Sequence, residues 1–317
     1  MSEAENSVDT VVRLLTKNLH IVKDEGATAN IHVSREWYDR ELFKNYDGQV
    51  TVGLSESSDT KVELSGRTRR CVSNLRVNVW ATDRLMRNRI VCEVNRIVRQ
   101  NRNKPNETLY DFTGIGLATN MHEAYHAEAP IELVPGHESW TELGNDEYQM
   151  IWYSDDQRFS KQSLGEGDFA MMLFGFKIES RKEVVRKICL TFEGYGVASA
   201  GNGVTVKVWN RTAQAWQNAQ SGAGEADETV NIVLSSNLAD YVNDDGYVWL
   251  LARTTNHSNG IDEAILYCDY ASCTVTVNGI VYLDVVSFRD ADRVYSKPFI
   301  FHTEFHLKSW SFEDIGA

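Results

Sequence analysis

The chain has 317 residues, of which 42% are hydrophobic and 24% charged, the balance of a globular protein whose length suggests two domains. No apolar run approaches the roughly eighteen residues of a membrane span, and the opening MSEAENSVDT has neither the basic region nor the apolar core of a secretory signal, so neither export nor membrane contact is expected. The five cysteines (Cys71, Cys92, Cys189, Cys268 and Cys273) are odd in number and form no CxxC pair, which reads as free, mostly buried thiols made in a reducing compartment. The net charge of −13 is uneven. Between Arg67 and Lys104 there are eleven basic residues against Asp83 and Glu93, a local +9 that leaves −22 on the rest. Two readings stay open for that basic stretch: a surface that meets an acidic neighbour such as another copy, or a solvated helix face. No helix-turn-helix or zinc-finger pattern points to nucleic acid.

Val8, Val11, Val12, Leu15 and Leu19 mark a first helix, with Ser7 as its expected cap. Asn30 to Val33 reads as a short extended segment, followed by an aromatic connection through Trp37, Tyr38, Phe43 and Tyr46. Asp47-Gly48 is a turn signal, Gln49 to Leu54 alternates as a strand, and Lys61 to Leu64 is another candidate strand. Cys71 to Trp80 alternates cleanly, with Leu75, Val77 and Val79 on one face. The period then changes. Met86, Ile90, Val94, Ile97 and Val98 form the apolar stripe of a second helix, capped by Thr82 or Asp83.

From Lys104-Pro105 to about Gly167 the text is irregular, and short strands are expected within it; Phe169 to Ile178 is apolar and extended. Six strand-like runs follow between Ile188 and Val277, separated by Gly, Asn, Asp and Ser, the pattern of an antiparallel β-sandwich. Phe299 to Phe312 is a long alternating strand that cannot stand alone. We expect it to complete the sheet begun by the first third. The expected class is α+β: helices packed on a mostly antiparallel sheet, with an inserted jelly-roll-like β-sandwich. Residues 1–104 and 280–317 would form the α/β domain, 105–186 an irregular connection and 187–279 the sandwich. The alternative is two tandem domains with the last strand on the sandwich.

Without the insert, the opening helix, VNVWATDR leading into the second helix, and RDADRVYSKP before FIFHTEFHLKSW resemble the tail terminator and tail completion proteins of tailed viruses. That resemblance implies a non-enzymatic virion protein of the tail or neck, made in the host cytoplasm. It would form a ring, usually a hexamer, that caps the tail tube and contacts the head connector. Arg84, Arg87, Arg96, Arg99 and Arg102 are then candidates for the oligomer or partner interface. The insert, in VTVKVWNRTAQAW, LADYVNDDGYVWLLART and ILYCDYASCTVTV, is similar to the jelly-roll sandwiches of carbohydrate-binding modules, which implies aromatics that stack on sugar. Trp209, Trp216, Tyr241 and Trp249 are the aromatics to inspect. Trp216 and Tyr241 are the candidate glycan contacts, while Trp209 and Trp249 sit in mid-strand where core residues sit. The partner of that site would be a host surface glycan.

A third reading is chemical. His122-Glu123-Ala124-Tyr125-His126 matches HExxH, which on a helix puts two imidazoles on one face beside a general base. The lead-in LATNM lacks a core-helix stripe, and Pro130 follows where a third ligand would be spaced. Glu138 and Glu142 are distant alternatives, and His137 is a further metal-binding side chain nearby. Asp240, Asp244 and Asp245 cluster at a turn, either as calcium ligands or as turn-forming acids beside Gly246. No Walker A, Rossmann glycine pattern or GxSxG is present, so neither cofactor nor catalytic residue is expected.

Overall fold

The computed structural model describes residues 4–35, 37–62, 68–119, 121–292 and 299–314. In chain order the elements begin with α1 (Ser7–Asn18), β1 (Ile31–Ser34), β2 (Gly48–Lys61), β3 (Thr68–Ala81), α2 (Arg84–Gln100), β4 (Glu107–Asp111), β5 (Glu123–Ala129), β6 (Thr141–Glu142) and α3 (Asn145–Gln149). They continue with β7 (Phe159–Ser163), β8 (Phe169–Lys177), β9 (Val185–Val197), β10 (Val204–Asn210), β11 (Ala215–Gly222), β12 (Glu228–Leu234), β13 (Tyr247–Thr254), β14 (Ala264–Val277), β15 (Ile280–Asp290) and β16 (Phe301–Asp314). The chain divides into two compact units: residues up to 107 with those from 278 on, and residues 108–277.

In the first unit the sheet order is β1-β2-β3-β16-β15. The β1–β2 pair is parallel and the other pairs are antiparallel. Leu75, Val77 and Val79 of β3 are buried because period-two alternation turns them all to one face. Leu307 and Phe305 of β16 lie opposite Leu75 and Val77 and are buried with them. Val11 and Leu15 of α1 and Ile90, Val94 and Val98 of α2 share this core. Asn6 rather than Ser7 caps α1, its Oδ1 accepting from Val8 N at 2.8 Å. Asp83 caps α2, accepting from Met86 N at 2.7 Å. The candidate strand at Lys61 to Leu64 falls partly outside the described residues, as does most of the charged turn before Phe299.

The second unit pairs two sheets, one ordered β11-β10-β13-β8-β5-β6 and the other β12-β9-β14-β4 with β7 also on β14. Phe174, Phe176, Val206, Val208 and Leu250 from the first meet Ile188, Leu190, Phe192, Leu266 and Val275 from the second in one core. This is a β-sandwich-like architecture.

The α+β expectation is overturned. Strands hold 48% of the described residues and helices 15%, and the molecule is mostly β. The stretch 105–186 is no mere connection, and the sandwich does not begin at 187. β4 to β8 lie in that stretch and are built into the two sheets. The reason is local. β5 (EAYHAEA) and β7 (FSKQS) carry too few large apolar residues to show a period, and tertiary pairing makes them strands regardless.

Candidate carbohydrate-binding face

On β13, Val248, Leu250 and Ala252 point into the sandwich core, so Tyr247, Trp249, Leu251 and Arg253 point to the outer face of the six-stranded sheet. The register carries that face across the neighbouring strands. Trp216 of β11 lies opposite Trp209 of β10. Val208 of β10 opposes Leu250, which sets Trp209 beside Trp249. Trp249 opposes Gly175 of β8, and Gly175 opposes Glu123 of β5. The row therefore runs across the strands as Trp216, Trp209, Trp249, Gly175, Glu123.

Gly175 is what lets Trp249 lie flat. A Cβ built there would stand 2.5 Å from the ring's Cζ3, so any other residue would lift the indole from the sheet. Tyr247 stacks alongside Trp249 with ring centres 5.3 Å apart and planes 16° apart, and Tyr125 stands 6.3 Å away. Trp209 meets Trp216 edge-on at 5.1 Å. Glu123 anchors the tyrosines, accepting from the Tyr125 hydroxyl at 2.9 Å and the Tyr247 hydroxyl at 2.9 Å. Burial, and then the Glu123 carboxylate, push both phenols above their ordinary range, so both remain hydrogen-bond donors. Exposed Lys177 holds its Nζ 5.5 Å over the Tyr247 ring. Trp249, Tyr125 and Trp216 are half-buried, while Trp209 and Tyr247 are nearly covered.

One end of this face is closed by the chain itself. Leu133 packs on Ala127, Met171 and Leu251, and Glu132 is held by Lys207 at 2.8 Å and Arg253 at 2.7 Å. Burial alone would raise the Glu132 carboxyl, but these two cations outweigh it and hold it below its usual range. Trp216 Nε1 donates to the Leu133 carbonyl at 3.1 Å. What remains open is an aromatic strip centred on Trp249, edged by a carboxylate, phenols and an ammonium. Flat rings offer a surface to the C–H faces of a ligand, and the polar edge matches donors and acceptors around it.

The expected glycan residues are thus split. Trp216 belongs to the row but is tied to Leu133. Tyr241 packs against the sandwich core and shares its hydroxyl with Asn218 and Gln217, at 2.9 and 3.2 Å. Trp249, assigned to the core from its mid-strand position, is the half-open ring. Tyr125, Tyr247 and Gly175 were not singled out as glycan contacts. The outward alternation of β13 signals Tyr247, whereas only the sheet register reveals Gly175.

HExxH lies on and just before β5, not on a helix. His122 and His126 are separated by four residues of extended chain, about 13 Å, and Glu123 points to the opposite face. His122 is buried among Tyr110, Phe112 and Phe176, its Nδ1 accepting from Lys177 N at 3.1 Å. His126 lies against Phe159, and burial lowers its pKa. This geometry removes the metallohydrolase reading. At the other acidic cluster, Asp244 is gripped by Arg211 at 2.7 Å and Lys182 at 3.2 Å, which lower its carboxyl to about 2, while Asp240 accepts from Thr212. Asp244 is thus neutralised by its two cations, and Asp240 and Asp245 are acids of the turn before Gly246. Asp156, Asp227 and Asp269 bring oxygens within 4.8 Å of one another, and Arg158 serves as their counter-charge.

Among the basic candidates, Arg84 and Arg99 are exposed, with no partner among the described residues. Arg96 is engaged by Glu93 and Gln100, and Arg102 by Asp284 at 2.7 Å and the Tyr282 ring. Arg87 cannot serve as an open contact. It is 1% exposed and is bound to Asp290 at 2.7 Å, Asp292 at 3.2 Å and Thr303 at 3.1 Å, because its position on the α2 stripe turns it toward the sheet.

Residues 119–277, half of the chain, match the family model AF_1625_C, described as "Uncharacterized protein, C-terminal domain". The chain belongs to that family. No curated protein matches it. Among solved structures, a xylan-binding module CBM15 is 14% identical with a TM-score of 0.29, over 55% of this chain and 98% of that one. The enzymatically active domain of bacteriophage CBA120 tailspike protein 4 is 11% identical with a TM-score of 0.23, over 55% of this chain and 20% of that one. A Broad Bean Stain Virus structure is 7% identical with a TM-score of 0.16, over 65% of this chain and 86% of that one. All three similarities are weak.

Proposed function

We propose that the sandwich is a carbohydrate-binding module, and that the chain is a non-enzymatic structural subunit that presents it on the tail or neck of a virion. The observation that carries the first part is Trp249 lying flat across Gly175 within a row of tryptophans, with Glu123 and Lys177 beside it. A sugar ring sets its C–H face on the open side of the indole, and its hydroxyls meet Glu123, the tyrosine hydroxyls and the Lys177 ammonium. A surface glycan of the host is the partner this implies. Calorimetry with soluble xylan, β-glucan and mannan tests it. At least one of these binds, and Trp249→Ala weakens binding at least about tenfold, a loss near 1.4 kcal/mol, with an unchanged melting curve. A wild-type protein that takes up none of the three ends the reading.

The second part is favoured by the sheet of the first unit, whose outermost strands β1 and β15 each pair with a strand on one side only among the described residues. β1 covers only Gly48 to Thr51, so among the described residues β2 from Ser55 onward has a strand, β3, on one side only. On the other side β15 is an edge with Val286 64% and Phe288 50% exposed. Open edges are templates for pairing with another chain, and a head-to-tail contact that closes makes a ring. The resemblance of the sequence to tail terminators supplies the finer proposal: a ring of six between tail tube and head connector. Light scattering on the purified chain checks it, with a mass several times 35.9 kDa expected.

A further inference from the structure

The face of the five-stranded sheet turned away from its core holds a concavity of about 1050 Å³. Its floor is prearranged. Glu304 is 7% exposed and bridged by Arg76 at 2.7 Å and Arg289 at 3.1 Å. Beside it Trp80 is stacked on His302 at 4.9 Å and touches Tyr38 at 5.2 Å. Its rim carries Arg35, Arg40 and Trp37, the last 91% exposed. Arg35 is paired with Asp9 at 2.9 Å, so four guanidiniums meet two carboxylates and the concavity keeps a basic excess, with an aromatic wall and an indole turned to solvent. An acidic occupant with an apolar tip fits that chemistry.

The sandwich unit presents such a shape. It carries twenty-four acidic against ten basic residues, a net −14, while the first unit carries +1. At one end two turns are laced together, with Gly167 N donating to Ser258 O at 3.0 Å and Ser258 N to Asp168 O at 2.9 Å. The Ser258 hydroxyl donates to Asp262 O, and Asn259 Oδ1 accepts from Ile261 N and Asp262 N at 2.9 and 2.6 Å. This fixes Ile261 at the apex, 85% exposed, among Glu166, Asp168, Asp262 and Glu263. No basic residue lies in 164–168 or 258–263. A single exposed isoleucine is ordinary. One held rigidly at the apex of an all-acidic knuckle has its ordering cost already met before any partner arrives.

We propose that the acidic knuckle around Ile261 in one copy docks into the basic, aromatic concavity around Trp37 in a second copy. The inference rests on the ring reading and names the contact that joins neighbours. Donor and receiver are different patches, so the contact is head-to-tail and propagates to a closed ring or a filament. Ile261 against Trp37 supplies the apolar centre, and the carboxylates and guanidiniums around it set orientation and rate of encounter.

Light scattering on the full chain tests it with two charge-reversed variants, Arg35→Glu/Arg40→Glu and Glu166→Lys/Asp262→Lys, each checked for wild-type circular dichroism. Each variant alone runs at the monomer mass of 35.9 kDa, and mixing the two restores assembly because every contact again joins opposite charges. Ile261→Asp alone also gives monomer. If the wild type is multimeric and both variants keep its mass, this contact is wrong while the ring stands. A wild type that is monomeric at every concentration removes both. Oligothymidylate binding that Arg35→Glu/Arg40→Glu abolishes at unchanged mass also overturns it, and assigns the concavity to nucleic acid.

Discussion

Asp269 is a carboxylate 2% exposed on β14, next to Asp227 and Asp156. Burial pushes its pKa above the ordinary range, and Glu193, Asp227 and Asp155 push the same way against one weak bond from Asp155 N. The folded value lies above the unfolded one, so the native state holds this proton more tightly, and the charged form weakens the fold. That penalty is full above the folded value and disappears as pH falls through it toward the unfolded value. Asp269→Asn therefore raises the urea midpoint at pH 7, with a gain that shrinks as the buffer is taken toward pH 4; an equal or lower midpoint at pH 7 contradicts the argument. Gly175 makes the complementary case. Gly175→Ala puts a methyl 2.5 Å from the Trp249 ring, costs roughly 1–3 kcal/mol by overpacking, and by lifting the indole removes the proposed sugar binding in calorimetry. Neither residue stands out in the sequence. An aspartate in a strand and a glycine in an apolar run read as ordinary until the register shows what lies opposite.

Elements differ in how much their own text reveals. α2 is legible because its stripe repeats over several turns and Asp83 sits one residue before it, where a carboxylate can accept from Met86 N. Asp83→Ala lowers stability by about 1 kcal/mol, the usual worth of a cap, read as a shift in urea midpoint. β3 is legible from alternation alone, and β16 from its row of large residues, of which Phe305 and Leu307 reach the core. β5 is the opposite case. Its HExxH suggests a helix by motif, yet Ala124 and Ala127 are its buried apolar residues, and pairing with β8 decides its conformation. Likewise β2 is a strand for fourteen residues although its last eight are exposed. Its hairpin partner β3 and the hydrogen-bond ladder extend it beyond the core, where no apolar pattern is needed.

At the scale of the molecule, charge separates the two units: one is near neutral with a basic helix and a basic concavity, the other strongly acidic. The proposed assembly through the Ile261 knuckle and the Trp37 concavity is then expected to be salt-sensitive. Raising salt from about 0.1 M to about 1 M shortens the Debye length from roughly 10 Å to 3 Å, and the assembled mass falls toward 35.9 kDa in light scattering. A mass indifferent to salt assigns the subunit contact to the apolar sheet edges at Val286 and Phe288 instead.

The sequence by itself determined what depends on near neighbours: the stripe of α2, the alternation of β3 and β16, the sandwich runs from β9 onward, and the acidic and basic partition, since period and composition are local properties. Only the tertiary structure decided the rest. It made the molecule mostly β by recruiting β4 to β8 into the sandwich, buried Arg87 against Asp290 and Asp292, and set three tryptophans in a line that ends over Gly175. Each of these depends on which strand lies beside which, and that is settled by long-range pairing between residues far apart in the chain.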